Sequence, residues 1–206
     1  MRLVVLLACC LAVFAAPRSA PAPCSAGSVA LTFDDGPRST TPALLDALER
    51  HQLRATLFVV GAHADAHPEL VRASVRAGMW VENHSYTHAR LTRLDDAQVV
   101  AELRATQDVL RRLTGRTPTL MRPPYLATDA RVRAAARRVG LTEVLATVDT
   151  HDSRGASAEA IADAAERLRP GGILLMHDRV QAIDAIPRIA DVLAERGLCA
   201  GPVSSA

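Results

Sequence analysis

The chain has 206 residues, room for one domain and a targeting segment. Its 24 basic residues are all arginine and face 22 acidic ones, and without Arg2 and Arg18 the balance is 22 against 22. That argues against partners held by bulk charge, such as nucleic acid or an anionic membrane surface. Hydrophobic residues at 49% can fill one core, charged residues at 22% exclude wholesale disorder, and aromatics at 3% leave few flat faces for stacking.

Arg2 opens an uncharged apolar run from Leu3 to Ala16, followed by small residues and by prolines at 17, 21 and 23. This is the pattern of a secretory signal peptide. The run is too short for a permanent membrane span, and the six residues before Cys9 are too few for a lipoprotein signal. Residues 1–23 are therefore expected to be a signal peptide with a short Pro-rich leader, and 24–206 one domain of a secreted monomer. Cys24 and Cys199 are the cysteines left in that domain. In an oxidising compartment they are expected to form one disulfide between its ends. On a chain-entropy account it is worth at most about 5 kcal/mol.

From Ser28 onward, short apolar runs alternate with helix-period segments. Val29–Phe33 reads as a strand, with a helix from Pro42 to His51. Ala55–Val60 is the next strand, then a helix from Pro68 to Ala77 stopped by Gly78. Met79–Glu82 is a third strand, and a long helix follows from Asp95 to Leu113. Thr119–Arg122, Val144–Val148 and Ile173–Met176 complete six strands. Helices at 129–139, 158–168 and 187–196 fill the gaps. This alternation predicts an α/β fold of parallel βα units in one domain, either a barrel or a doubly wound sheet.

In such folds reactive groups gather just past the C-terminal ends of strands. Five chemically loaded segments hold that position: Asp34-Asp35-Gly36-Pro37, His84-Ser85-Tyr86-Thr87-His88, Arg122-Pro123-Pro124-Tyr125, Asp149–Asp152 and His177-Asp178. Each has a bland reading on its own. A lone His-x-x-x-His is often a surface pair, Asp-Asp-Gly-Pro is a good turn, the Arg-Pro-Pro-Tyr run can be a rigid loop, and His-Asp can cap a helix. Converging on one mouth, they describe a site. Two His four apart and one carboxylate suit a divalent transition metal with open positions, so Asp35, His84 and His88 are assigned as ligands. Asp34 is placed to take a proton from water, with Arg122 to hold it ionised and oriented. His177 is assigned as proton donor to a leaving group, with Asp152 fixing its tautomer.

These motifs resemble, in order and across nearly all of residues 28–201, those of the NodB-like polysaccharide deacetylases, carbohydrate esterase family 4. Thr32-Phe33-Asp34-Asp35-Gly36-Pro37 is similar to the family's first motif, whose first Asp is the base and whose second binds metal. His84 to His88 matches its His-Ser/Thr-x-x-His metal motif, Arg122 to Tyr125 its Arg-Pro-Pro-Tyr, and Leu175-Met176-His177 its Leu-x-His. The resemblance implies a distorted (β/α) barrel holding one divalent ion, Zn2+ or Co2+, and acting on acetylated polysaccharides or oligosaccharides. It also implies that the Tyr125 main-chain N–H serves the oxyanion and that Leu175 lines the pocket for the acetyl methyl. Secreted acetylxylan esterases and chitooligosaccharide deacetylases look nearest, through stretches such as Ala77 to Val81 and Ala185 to Ala190.

Three positions depart from the family pattern. Ser153 stands where the fourth motif carries Trp, Leu126 follows Tyr125 in place of Gly, and Arg179 stands where a Trp is common. Two lost aromatic faces predict a weaker grip on sugar rings. Trp80, in a strand, is assigned to the core. His51, His63 and His67 are assigned to the surface, and His151 to a solvated loop. The leading expectation is a metal-dependent deacetylase of N-acetylglucosamine-containing glycans. An O-acetyl xylan esterase, a glycan-binding pseudoenzyme and a metal-binding structural domain are the alternatives.

Overall fold

A computed structural model describes residues 24–204. Its strands are β1 (Gly27–Gly36), β2 (Thr56–Val59), β3 (Trp80–Asn83), β4 (Leu120–Met121), β5 (Thr142–Glu143), β6 (Val148–Asp149), β7 (Ile173–His177) and β8 (Leu198–Ala200). Its helices are α1 (Thr41–Arg50), α2 (Gly61–Ala66), α3 (Pro68–Arg76), α4 (Asp96–Thr114), α5 (Ala130–Arg138), α6 (Ala158–Ala165) and α7 (Val180–Glu195). The strands run in the order β5-β4-β3-β2-β1-β7-β6, with β8 against the start of β1. Every pairing is parallel, and the sheet curls with its helices into a distorted (β/α) barrel. The expected leader lies outside the described residues. Among the described residues no helix is long and apolar enough to cross a membrane.

β1 is an interior strand, with β2 on one edge and β7 on the other. Val29 to Gly36 are all buried, which explains its apolar composition. The helices turn one apolar stripe inward. On α4 that stripe includes Val99, Val100, Leu103 and Leu110. A capping box starts this helix: Asp95 Oδ1 accepts from the Gln98 N–H at 2.8 Å, and Gln98 Oε1 accepts from the Asp95 N–H at 2.9 Å. The expected disulfide is present, joining Cys24 to Cys199 across a separation of 175 residues.

The structure differs from the expected elements in four places. The predicted strand Val144–Val148 is not one strand, because the barrel has a seam there. The Val144 N–H donates to the Met121 carbonyl of β4 at 2.8 Å, and the Thr147 N–H to the Ile173 carbonyl of β7 at 3.0 Å. The segment thus hands over from one edge of the sheet to the other and pairs fully with neither. The helix expected from Pro187 starts seven residues earlier, at Val180, and carries Pro187 in its interior. Its buried face of Ala182, Ala185, Ile186, Ile189 and Leu193 holds it together despite the lost N–H. α2 and β8 are additional to the expected set.

α2 depends on a glycine. Gly61 starts the helix beside the loop after β3, donating its N–H to the Ser85 carbonyl at 2.9 Å. A Cβ there would lie 2.5 Å from Tyr86 Cδ2, 2.7 Å from Thr106 Oγ1 and 3.2 Å from Thr106 Cα. The last contact is backbone, which cannot swing away. Gly61→Ala should therefore cost about 1–3 kcal/mol, measured as a lower urea midpoint at unchanged m-value.

Candidate active site

All five loaded loops lie at the C-terminal mouth of the barrel, around a cleft of about 480 Å³. Asp34, Asp35, His84, His88, Tyr125, Leu175 and His177 line it. Arg122 and Asp152 stand behind the wall, each holding one of these groups. The backbone is strained here: of the seven described non-glycine residues with positive φ, all except Gln52 lie in these loops, including Asp35 at 70°, His88 at 61° and Tyr125 at 62°.

Asp35, His84 and His88 each present one ligand atom, and the three atoms lie within 4.8 Å of one another. His84 Nδ1 donates to the Arg122 carbonyl at 2.8 Å, which leaves Nε2 as the lone-pair nitrogen, 3.5 Å from Asp35 Oδ1. His88 Nε2 is 3.0 Å from the same oxygen. Asp35 Oδ1 is buried and has no hydrogen-bond donor. A buried acceptor facing two imidazole nitrogens is a donor set short of its cation, so these residues fit a divalent ion. Burial alone would raise the Asp35 carboxyl, but the adjacent imidazoles outweigh it and hold the group far below the usual carboxylate range.

The loop that carries both histidines is tied to α4. Glu102 Oε2 accepts from the N–H groups of Tyr86 and Thr87 at 2.9 and 2.8 Å, and Oε1 from the Thr87 hydroxyl at 2.8 Å. Asn83 adds a further tie, accepting from the Ser85 N–H at 2.9 Å and donating to the Leu103 carbonyl at 2.9 Å. The turn is thus held by groups of the chain itself.

Arg122 is fully buried. Its Nη1 donates to Asp34 Oδ1 at 2.9 Å and to the Thr32 hydroxyl at 2.7 Å. Its Nη2 donates to the Leu145 carbonyl of the seam segment at 3.4 Å, and its guanidinium sits 4.3 Å above the Phe58 ring. The second oxygen of Asp34 is left toward the cleft, 3.9 Å from His84 Nε2. Opposite, His177 Nδ1 donates to Asp152 Oδ1 at 2.7 Å, so Nε2 is the free ring nitrogen. Asp152 also accepts from the N–H groups of His177 and Ser153 at 2.7 and 2.9 Å. Burial pulls the His177 imidazole down, and the Asp152 carboxylate, with Asp34 and Asp35, more than reverses this, leaving it above its ordinary 6.5.

Tyr125 is 59% exposed. Its ring lies 4.7 Å from that of His88 and carries the Arg90 guanidinium at 4.6 Å. Leu126, Ser153 and Arg179, the three positions that depart from the family pattern, all line the cleft. Asp178 is buried and accepts from the Thr40 hydroxyl at 2.7 Å, while its N–H donates to the Asp34 carbonyl at 3.2 Å. Burial pushes its carboxyl up.

Two assignments need correction. Trp80 is not core but half-buried on β3, under the Arg54 guanidinium. His63 is not a bystander on the surface: its Nδ1 donates to the Asp35 carbonyl at 2.9 Å and steadies the ligand loop. Its address could have signalled this, since it stands just past the C-terminal end of β2 like the other site groups. Arg38, 3.3 Å from Asp35 Oδ2, is a second neighbour of the ligand that no motif points to. His151 is exposed and bonds to Asp149, its N–H and ring Nδ1 lying 2.8 and 3.0 Å from the two carboxylate oxygens.

The mouth of the parallel (β/α) barrel thus gathers three residues that could hold a metal ion, the Asp34–Arg122 pair and the His177–Asp152 pair. The family profile described as polysaccharide deacetylase matches residues 22–144. The chain belongs to this family, the NodB-like polysaccharide deacetylases of carbohydrate esterase family 4. It is similar to the family 4 carbohydrate esterase from Streptomyces lividans solved in complex with acetate, with TM-score 0.85 and 50% identity, covering 86% of this chain and 93% of that one. It is 39% identical over 180 residues to a bifunctional xylanase/xylan deacetylase of Cellvibrio japonicus, 86% of this chain and 27% of that protein. It is 38% identical over 154 residues to a chitooligosaccharide deacetylase of Bradyrhizobium, 73% of this chain and 70% of that protein. Against several such relatives the chain spans about a quarter to a third of their length.

Proposed function

We propose that the protein is a secreted, metal-dependent deacetylase that releases acetate from N-acetylglucosamine-containing glycans of the chitooligosaccharide or peptidoglycan type. The observation that carries this reading is one cleft shared by the ligand cluster, the Asp34–Arg122 pair and the His177–Asp152 pair. The disulfide supports an oxidising compartment. Similarity to the Streptomyces esterase, solved with acetate, supports acetate as the product.

Asp35, His84 and His88 would hold the ion, and one carboxylate with two imidazoles favours Zn2+ or Co2+. Bound there, such an ion would polarise the acetyl carbonyl and acidify the attacking water. Asp34, aimed by Arg122, takes one proton from that water as its oxygen bonds to the carbonyl carbon. The Tyr125 main-chain N–H donates to the oxygen on which negative charge grows. Leu175 packs against the methyl group. His177 Nε2 then gives a proton to the departing nitrogen as the C–N bond breaks, leaving acetate and a free amine. With an O-acetyl substrate the same proton goes to the departing oxygen, so an acetylxylan substrate is the second reading.

The test is acetate release from N-acetylated chitooligosaccharides and from acetylated xylan, using chelated protein before and after addition of Zn2+ or Co2+. Metal-restored release supports the reading, and the preferred substrate separates amide from ester. Glycan binding without release from either, at stoichiometric metal, overturns it in favour of a binding protein. The loop tie to α4 gives a further expectation. Glu102→Ala leaves two main-chain N–H groups of the His84–His88 loop without their acceptor, and should weaken metal binding about 10- to 100-fold by calorimetry.

A further inference from the structure

Three cationic groups of the cleft play no part in this mechanism, namely Arg90, Arg154 and Arg179. They come from three separate loops, after β3, β6 and β7. Among the described residues none of them is in an ion pair, although ten other arginine–carboxylate pairs are formed. Arg179 Nε is buried without an acceptor. The carboxylates of the cleft wall are already engaged: Asp34 by Arg122, Asp35 by two imidazoles and Asp149 by His151. The wall therefore presents three guanidinium groups outside any ion pair, in a chain whose overall charge is close to balanced.

The same wall is poor in the faces that hold neutral sugars. Tyr125 is its one phenyl-type ring. Of the other described aromatics, Phe33 and Phe58 are core, Trp80 lies under the Arg54 guanidinium at 4.1 Å on β3, and Tyr86 bonds to Asp65 at 3.1 Å. The Arg90 guanidinium already shares the Tyr125 ring at 4.6 Å, so a cleft with three guanidinium groups outside ion pairs gains more from an anion than from a neutral ring.

We propose that Arg90, Arg154 and Arg179 form a carboxylate-reading wall, so that the enzyme prefers acetylated glycans bearing a carboxylate near the reacting sugar. The inference rests on the deacetylase reading and adds the charge of its substrate. Two sources supply this chemistry: the lactyl ether of N-acetylmuramic acid, and a uronic acid branch on an acetylated xylan.

The experiment compares kcat/KM for acetate release by metal-replete protein within two matched pairs. One pair is an N-acetylglucosamine oligomer and an oligomer of equal length alternating with N-acetylmuramic acid. The other is an acetylated xylooligosaccharide with and without a glucuronic acid branch. In at least one pair the anionic member should win by about tenfold at low salt, and the winning pair identifies the source. The preference should shrink toward parity in R90Q/R154Q/R179Q, and in about 1 M salt, where the screening length falls to about 3 Å. Arg104→Gln, exposed on α4 outside the cleft, should retain it. If the triple variant does not fold, Arg154→Gln alone, at an exposed side chain, makes the same comparison. Parity between neutral and anionic members, or a preference untouched by the variants, overturns the charge reading while leaving the deacetylase reading intact. If no oligosaccharide releases acetate, the deacetylase reading falls. Calorimetric affinities for the same pairs then decide the charge reading, and equal affinities overturn it.

Discussion

Replacing Asp152 by asparagine should lower kcat by about 10²- to 10⁴-fold and move the alkaline limb of the pH–kcat profile downward. The carboxylate accepts three hydrogen bonds, from His177 Nδ1, the His177 N–H and the Ser153 N–H. An amide has only one accepting atom. If its NH₂ takes the place of Oδ2, it meets the His177 N–H. If it takes the place of Oδ1, it meets the Ser153 N–H. Either arrangement sets donor against donor in a buried place, which costs about 1–3 kcal/mol. The second arrangement also donates to Nδ1 and leaves the neutral ring protonated on Nε2, which reverses the tautomer.

The pH effect has a definite sign. In the proposed mechanism the acid must carry its proton, and the folded protein holds His177 above its ordinary 6.5. Activity is therefore retained below that raised value and lost as pH climbs through it. The largest contribution to the elevation comes from the Asp152 hydrogen bond and charge, working against burial. Without that charge burial dominates, so the imidazole loses its proton at lower pH and the alkaline limb retreats. Stability follows the same linkage: the contribution of this pair is complete below the unfolded value and disappears as pH rises through the folded one. Proton NMR titration of the His177 ring, with pH–kcat profiles of both proteins, checks both statements. An unmoved alkaline limb in Asp152→Asn would show that another group is the acid.

The sequence made the site more legible than the fold around it. Strand–helix alternation sends every βα loop to one end of the barrel, so the residue types after each strand were enough to bring Asp34, His84, Arg122, Asp152 and His177 together. The missed features are those set by tertiary contact. α2 is six residues long and opens with glycine, so it has no periodic stripe to read. It forms because Gly61 permits a close fit against Tyr86 and Thr106. The apolar run Val144–Val148 looks like any buried strand, and only the position of the barrel seam splits it. Pro187 resembles a first-turn proline, but the buried Ala182 and Ala185 before it extend the apolar stripe a further two turns upstream. The free arginines of the cleft come from three distant segments, and no spacing rule brings them together.

Arg122→Leu should destabilise the fold by about 3–5 kcal/mol and also sharply lower activity. The guanidinium is a cross-brace at the open seam. It joins Asp34 and Thr32 of β1 to the Leu145 carbonyl of the seam segment. Leucine fills part of that volume but leaves a buried carboxylate without its counter-ion and a carbonyl without its donor. The loss of the counter-ion is the greater cost, and a double-mutant cycle separates it from the rest. In Arg122→Leu/Asp34→Asn the buried charge has gone, so the double variant should be more stable than the sum of the single changes by at least about 1 kcal/mol. Arg122→Lys keeps the positive charge without the planar fork, so it can serve Asp34 or the Leu145 carbonyl, not both. Its urea midpoint should fall between those of the parent and the leucine variant, while its kcat stays low because the base is no longer held from a fixed direction. Additive free energies in the cycle would mean that Arg122 fills the seam without bracing Asp34, and the role of Asp34 as an aimed base would then need another support.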